Sequence, residues 1–106
     1  MSDLALQCRQ QDFDAAEMPR YQALRMKLKA GTHGVRELPD GYALRLAAEA
    51  ALFREAAEWI SLERRCCPFL TLGLEWAEDG VVWLRLTGGP SVKAFLAERL
   101  AAAPTA

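Results

Sequence analysis

Histidine, cysteine and long apolar runs are all scarce in this sequence, and each shortage excludes a class of protein. With a single histidine, His33, in a predicted turn, the sequence identifies no Ser-His-Asp triad. The three cysteines are an odd number, which excludes a complete disulfide framework. No apolar run approaches the roughly 20 residues needed to span a bilayer, so we expect no membrane protein. The N-terminus lacks the basic-then-apolar pattern of a secretory signal, and we therefore expect a cytoplasmic location with reduced cysteines.

Neither sign of charge dominates, because 13 basic and 14 acidic side chains give a formal net charge of −1. This balance argues against a general nucleic-acid-binding protein, which needs a basic surface. With 52% hydrophobic and 25% charged residues, the composition is that of a globular domain. The length of 106 residues suits one domain that spans residues 1–106.

Apolar periodicity and turn residues predict an α+β fold with the element order β-α-β-β-α-β-β-α. The predicted strands cover residues 4–8, 35–38, 42–46, 69–76 and 81–87, and the predicted helices are one that ends at Gly31, one over residues 48–65 and one after Pro90. This order indicates a mainly antiparallel sheet of about five strands with helices packed on one face. Such a sheet has edges and a face to cover, which is consistent with a homodimer. We interpret Trp59, Trp76 and Trp83 as core residues.

The helix predicted for residues 48–65 carries an acidic residue on its apolar stripe. The stripe repeats at three- and four-residue steps and consists of Leu52, Phe53, Ala56, Trp59 and Ile60. Glu63 continues it, although glutamate is almost never fully buried unless it is paired or coordinated. Cys66 and Cys67 follow Glu63 by three and four residues, so the three side chains can approach one point. Pro68 then ends the helix. An acid and two thiols at the inner end of a helix indicate a functional site.

The two adjacent thiols favour a soft ion over a disulfide. Consecutive Cα atoms lie about 3.8 Å apart, below the roughly 4.4–6.8 Å of ordinary disulfides. Structural zinc is also disfavoured, because its cysteines are usually separated by about two to four residues. Thiolates prefer soft ions. We therefore expect a small cytoplasmic protein that binds a soft metal or metalloid ion through Cys8, Cys66 and Cys67, with Glu63 as a fourth ligand, a base that accepts thiol protons, or a hydrogen-bond acceptor. Its role would be metal homeostasis or resistance, as a binding protein rather than an enzyme.

Two alternatives remain open on the same residues. In the first, Arg64 and Arg65 lower the pKa of a thiol, and the protein carries out thiol-based redox or transfer chemistry. In the second, the cysteines are inert, buried residues of a structural or interaction domain, since cysteine often acts as a small hydrophobe. Glu63 would then pair with an arginine such as Arg45 or Arg85.

Four segments of the chain together form a pattern. They are Cys8, the hairpin ELPDGYALR at residues 37–45, the segment ERRCCPFLTL at residues 63–72, and WLRLTGGPSVKAFL at residues 83–96. The pattern resembles a family of small, largely uncharacterised bacterial proteins, whose most specific motif is ERxCCPFLxF. Leu72 replaces a usual aromatic residue and Ser91 a usual glycine, and both look like packing or turn substitutions. The resemblance implies that the three cysteines and Glu63 act as one group, and it implies no particular activity.

Overall fold

Residues 13–100 are described by the computed structural model, and they fold into a layer of helices on a layer of strands. In chain order the elements are α1 (Glu17–Gly31), β1 (Thr32–Leu38), β2 (Gly41–Leu46), α2 (Ala50–Cys66), β3 (Thr71–Trp76), β4 (Val82–Thr87) and α3 (Pro90–Arg99). Neighbouring strands are antiparallel and follow the order β1-β2-β4-β3. The predicted α+β class is therefore confirmed. None of the helices within residues 13–100 is both long and apolar enough to cross a membrane.

The sheet has four strands within the described residues, whereas the sequence predicts about five. The fifth is the strand predicted for residues 4–8, which lies outside the described residues together with Cys8. Other boundaries shift by two or three residues: β1 begins at Thr32 instead of residue 35, α2 at Ala50 instead of residue 48, and β3 at Thr71 instead of residue 69. The strand β3 starts late because the chain first makes a turn, in which the amide of Leu70 donates to the carbonyl of Cys67 at 3.1 Å.

The central strand β4 shows why one face of the sheet is buried. Val82, Leu84 and Leu86 are buried and alternate with half-exposed residues, as expected for a strand with helices on one side. Leu84 stands opposite Leu44 of β2 and Leu74 of β3, so leucines from three strands meet beneath the helices. Together with the buried faces of α1, α2 and α3, they form one hydrophobic core.

Both predicted hairpins are confirmed, and a glycine is essential to each. A Cβ atom at Gly41 would lie 2.0 Å from the carbonyl oxygen of Leu86, so only glycine allows β2 to pass this close to β4. In the second hairpin, Gly80 has a φ of 90°, which residues with a side chain rarely adopt. These turns fix the register that aligns the buried leucines of the sheet.

Helix α1 lies along α2 and buries Tyr21, Leu24 and Leu28. Ion pairs link the two helices at Glu17–Arg65, Arg20–Glu58 and Lys27–Glu55. Each pair is partly exposed, and such pairs contribute about 0–1 kcal/mol, so apolar packing supplies most of the contact. The packing places Tyr21 beside the last turn of α2, where the predicted site lies.

Only one of the three tryptophans interpreted as core residues is buried. Trp59 is 5% exposed, but Trp76 is 43% exposed and packs on the ring of Phe53 at a centroid distance of 5.3 Å. Trp83 lies on the outer face of β4, where the guanidinium of Arg36 is 4.4 Å from its ring centroid. The interpretation is wrong for Trp83 because it alternates with the buried residues of β4 and so faces the other side of the sheet.

Candidate metal centre

The last turn of α2 carries the three residues that the sequence groups together. Glu63 and Cys66 lie on the buried face of the helix, and Cys67 follows directly after it. Pro68 ends the helix because it has no amide hydrogen to donate. The amide of Cys67 still donates to the carbonyl of Glu63 at 2.6 Å, which keeps this residue beside the helix end. All three residues have an exposed fraction of 0%.

We call Glu63, Cys66 and Cys67 the thiol cluster. A carboxylate oxygen and the two sulfur atoms all lie within 4.8 Å of one another. The two sulfurs are 3.7 Å apart, far beyond the roughly 2.05 Å of a disulfide bond. Two thiolates bound to one tetrahedral ion at about 2.3 Å would lie roughly 3.8 Å apart. The observed spacing is therefore compatible with both sulfurs binding one ion.

Each oxygen of the Glu63 carboxylate has a hydrogen-bond donor from another helix. The hydroxyl of Tyr21 on α1 donates to Oε1 at 2.5 Å, and Nη1 of Arg99 on α3 donates to Oε2 at 3.1 Å. A buried carboxylate is stable only when it is paired and hydrogen-bonded, and these two contacts meet that requirement. Glu63 is thus the point at which all three helices meet.

Burial and the neighbouring carboxylate control the protonation of Tyr21. Removal from water raises the pKa of its hydroxyl well above the ordinary value of about 10, and the hydrogen bond to Glu63 raises it further. The phenol consequently stays protonated and remains a donor. It can hold the carboxylate in place but cannot serve as a base at neutral pH.

Arg99 is a largely buried cation that lies next to the thiol of Cys67. Burial alone would lower its pKa, but attraction to the Glu63 carboxylate more than offsets this, and the pKa of Arg99 is raised. The same Nη1 atom that binds Glu63 lies 3.8 Å from Sγ of Cys67. A fixed positive charge at this distance stabilises a thiolate.

Glu63 and Arg99 form a buried ion pair in this region. Two thiolates at Cys66 and Cys67 would add two buried negative charges, and a buried charge is costly unless it is paired. A soft cation bound by both sulfurs would supply such a partner.

The structure brings together three of the four residues predicted for the site, and Cys8 lies outside the described residues. Glu63 does pair with an arginine, but Arg45 and Arg85 are the wrong partners. Arg45 is exposed on β2, and Arg85 pairs with Glu75 across the outer face.

The cation beside the thiols was also assigned to the wrong residues in the sequence. Arg64 and Arg65 are exposed on the outer side of α2, and Arg65 pairs with Glu17 of α1. The cation that the described contacts place beside a thiol is Arg99, whose Nη1 is 3.8 Å from Sγ of Cys67.

Sequence reasoning missed Tyr21 and Arg99 as site residues. A usable signal existed in α3, where Arg99 follows the buried Leu96 by three residues and so falls on the inward stripe. The same argument identified Glu63 on α2. Tyr21 gives no such signal, because an aromatic residue on an apolar stripe is an ordinary core residue.

Comparison of the chain with family models, with curated proteins and with solved structures found no match. The assignment of a function therefore depends on the geometry and chemistry of the thiol cluster.

Proposed function

We propose that this protein binds a soft metal or metalloid ion in the cytoplasm through Cys66 and Cys67, with Glu63 and Cys8 completing the ligand set. Its role would be metal homeostasis or resistance. The observation that carries the proposal is the burial of a carboxylate and two thiols within 4.8 Å of one another. Tyr21 and Arg99 account for the burial of the carboxylate, so the support for an ion comes from the convergence of two soft sulfur ligands beside it.

The ligand chemistry supports a soft ion over a hard one. Calcium and magnesium prefer six or more oxygen ligands and keep bound water, and the cluster offers two sulfurs in a buried position. Thiolate sulfur selects ions such as copper(I) and other thiophilic species. A cation bound here would also neutralise the two charges that ionised thiols introduce.

The segment from Phe13 back to Cys8 is long enough to let Cys8 reach the cluster, which supports its proposed role as a third sulfur ligand. The ring of Phe13 lies 5.1 Å, centroid to centroid, from that of Tyr21, whose hydroxyl binds Glu63. Cys8 precedes Phe13 by five residues, which extend to at most about 18 Å. The resemblance to small bacterial proteins with an early cysteine and a CCPF segment supports the same grouping.

Titration of the reduced protein under anaerobic conditions tests the proposal. We expect copper(I), mercury(II) or arsenite to bind at one ion per chain, with thiolate-to-metal absorption, and we expect Cys66→Ser/Cys67→Ser to lose this binding. Met26→Ala is the matched control, because Met26 is an exposed sulfur residue (73%) outside the cluster. Equal binding by the double variant, or no tight binding by the unaltered chain, would rule out the ion site.

A thiol-based redox or transfer activity is the second candidate, and the contact between Arg99 and Cys67 favours it. An arginine 3.8 Å from Sγ promotes the thiolate, which is the reactive form of cysteine. The full burial of both sulfurs opposes it, because a substrate has no access to them. Alkylation separates the candidates: a reactive thiol labels rapidly in the folded protein at pH 7, whereas a buried ligand labels only on unfolding.

An inert core remains the third reading, and the same variants test it. Cys66 and Cys67 belong to the hydrophobic core, so replacing them changes stability in every case. If the cysteines are inert, the unaltered chain will neither bind a soft ion tightly nor show a reactive thiol.

A further inference from the structure

A cavity of about 160 Å³ lies between α1, α3 and the inner face of the sheet. Most of its wall is apolar and consists of Leu28, Leu44, Leu84, Leu86, Leu96 and Leu100. We call it the leucine cavity. A cavity of roughly 150 Å³ holds a benzene-sized molecule, so this space suits one small ring or a short branched chain.

One residue of the cavity wall carries a buried hydrogen-bond donor that has no partner among residues 13–100. Trp59 lines the leucine cavity and is 5% exposed, and its Nε1 atom is buried without a hydrogen-bond partner among residues 13–100. Buried N–H groups are nearly always paired, so this indole needs an acceptor that the described residues do not supply. The other polar group of the wall, the Thr32 hydroxyl, already donates to the carbonyl of Leu28 at 2.7 Å.

The charged residues of the wall are all cations. Arg25 and Lys29 are exposed residues of α1 that line the leucine cavity, and they mark the side on which it meets solvent. Within the described part of the chain, neither forms an ion pair or a hydrogen bond through its side chain. Arg99 also lines the cavity, but it is held by Glu63. With no acidic residue in the wall, the mouth attracts anions.

We propose that the leucine cavity binds a small organic acid. Its apolar body lies among the leucines, a hydrogen-bond acceptor on that body receives the N–H of Trp59, and its carboxylate lies at the mouth beside Arg25 and Lys29. The three features are complementary to three parts of one molecule: an apolar group of single-ring size, an inner acceptor and an outer negative charge. This site is separate from the ligand atoms of the thiol cluster.

Calorimetric and ligand-observed NMR titration of the full, reduced, metal-free chain with three probes tests the proposal. 4-Hydroxybenzoate carries all three features, benzoate lacks the inner acceptor, and 4-hydroxybenzyl alcohol lacks the charge. We expect one molecule of 4-hydroxybenzoate per chain and weaker binding of the other two. The proposal would be overturned if neither 4-hydroxybenzoate nor benzoate showed saturable binding. It would also be overturned if 4-hydroxybenzyl alcohol bound as tightly as 4-hydroxybenzoate.

Two variants assign the contacts. Trp59→Phe keeps an aromatic ring, removes the N–H and should weaken 4-hydroxybenzoate by about three- to tenfold while changing benzoate little. Arg25→Gln/Lys29→Gln should weaken both acids by about three- to tenfold at low salt and leave the alcohol unchanged. Unchanged affinity of 4-hydroxybenzoate for both variants would also overturn the proposal.

Matched controls remove the same groups elsewhere. Trp83→Phe changes an indole on the outer face of the sheet, and Arg20→Gln/Lys27→Gln removes two cations of α1 that pair with α2 instead. Both should bind 4-hydroxybenzoate as the unaltered chain does. If Trp59→Phe fails to fold, the Arg25→Gln/Lys29→Gln variant tests the proposal alone, because both of its substitutions are on the surface and should not affect folding. None of these variants removes a thiol, so failure here is distinct from failure of the ion site.

Discussion

Arg99 contacts two members of the thiol cluster with one nitrogen atom, since Nη1 is 3.1 Å from Oε2 of Glu63 and 3.8 Å from Sγ of Cys67. The side chain of Glu63 is fully buried and that of Arg99 is 22% exposed. Water therefore screens this pair only weakly. Loss of the ion pair would leave the Glu63 carboxylate buried without a cation, which is energetically costly.

Removing that cation should destabilise the fold. Arg99→Met preserves much of the length of the side chain, and we expect it to lower the free energy of unfolding by about 3 kcal/mol. Urea denaturation with an unchanged m value measures the effect. Arg85→Met is the control, because its pair with Glu75 is exposed and should change stability by less than about 1 kcal/mol. Equal stability of the two variants would show that the buried pair has no special role.

The hydroxyl of Tyr21 should also be needed for stability. Tyr21→Phe removes the 2.5 Å hydrogen bond to a charged group, and we expect a loss of about 2 kcal/mol at pH 7. Tyr42→Phe is the matched control, since the Tyr42 hydroxyl has no hydrogen-bond partner within residues 13–100. Thermal and urea unfolding of both variants provide the comparison, and a similar small effect in each would contradict the expected role of Tyr21.

The raised pKa of Tyr21 predicts a loss of stability in alkali. Burial, followed by the hydrogen bond to Glu63, raises this pKa in the folded state, whereas the unfolded chain releases the proton near the ordinary value of about 10. The folded state thus holds more protons above pH 10, and stability must fall as pH rises, by up to about 1.4 kcal/mol per unit for this group. In Tyr21→Phe this contribution disappears. The stability difference between the two proteins should therefore shrink between pH 10 and pH 11, and a constant difference would contradict the shift.

Binding of copper(I) or mercury(II) at the thiol cluster should release protons. Both thiols must ionise to bind as thiolates, so we expect about two protons per ion from Cys66 and Cys67, and more if Cys8 takes part. Arsenite does not serve in this measurement, because its hydroxide groups take up the thiol protons and leave as water. Calorimetry in buffers of different ionisation enthalpy counts them. A single replacement, Cys66→Ser, should remove one proton from the count. Binding without proton release would show that the ion uses other ligands.

The hairpins and the buried face of α2 are the parts of the fold that the sequence predicted best. The turn at Gly80 and the alternation around Leu84 act locally, through turn geometry and strand period, and both gave the right structure. The helix stripe likewise placed Glu63 inward. Trp83 was misassigned because a strand pattern does not tell which face meets the helices. Trp76 stands opposite the buried Val82 and packs on Phe53, so it is on the helix-facing side, but it ends the edge strand β3 and stays partly exposed.

The site was predictable only where its residues are close in sequence. Glu63, Cys66 and Cys67 lie within one helical turn, and their convergence follows from spacing alone. Arg99 is 36 residues away from Glu63, and Tyr21 is 42 residues away. Their contacts depend on how α1 and α3 pack against α2, which no local pattern encodes. The sequence therefore indicated that Glu63 needs a partner without identifying which arginine supplies it.

Arg99 is shared by two compartments of the molecule, because it borders the leucine cavity and also binds Glu63. If a bound ion changes the position or the charge environment of the Arg99 side chain, the affinity of the leucine cavity for the organic acid should change as well. Thermodynamic linkage makes the effect reciprocal: if the ion alters the affinity for the acid by some factor, the acid must alter the affinity for the ion by the same factor. The guanidinium of Arg99 would then couple ion binding at the thiol cluster to binding of an organic acid in the leucine cavity.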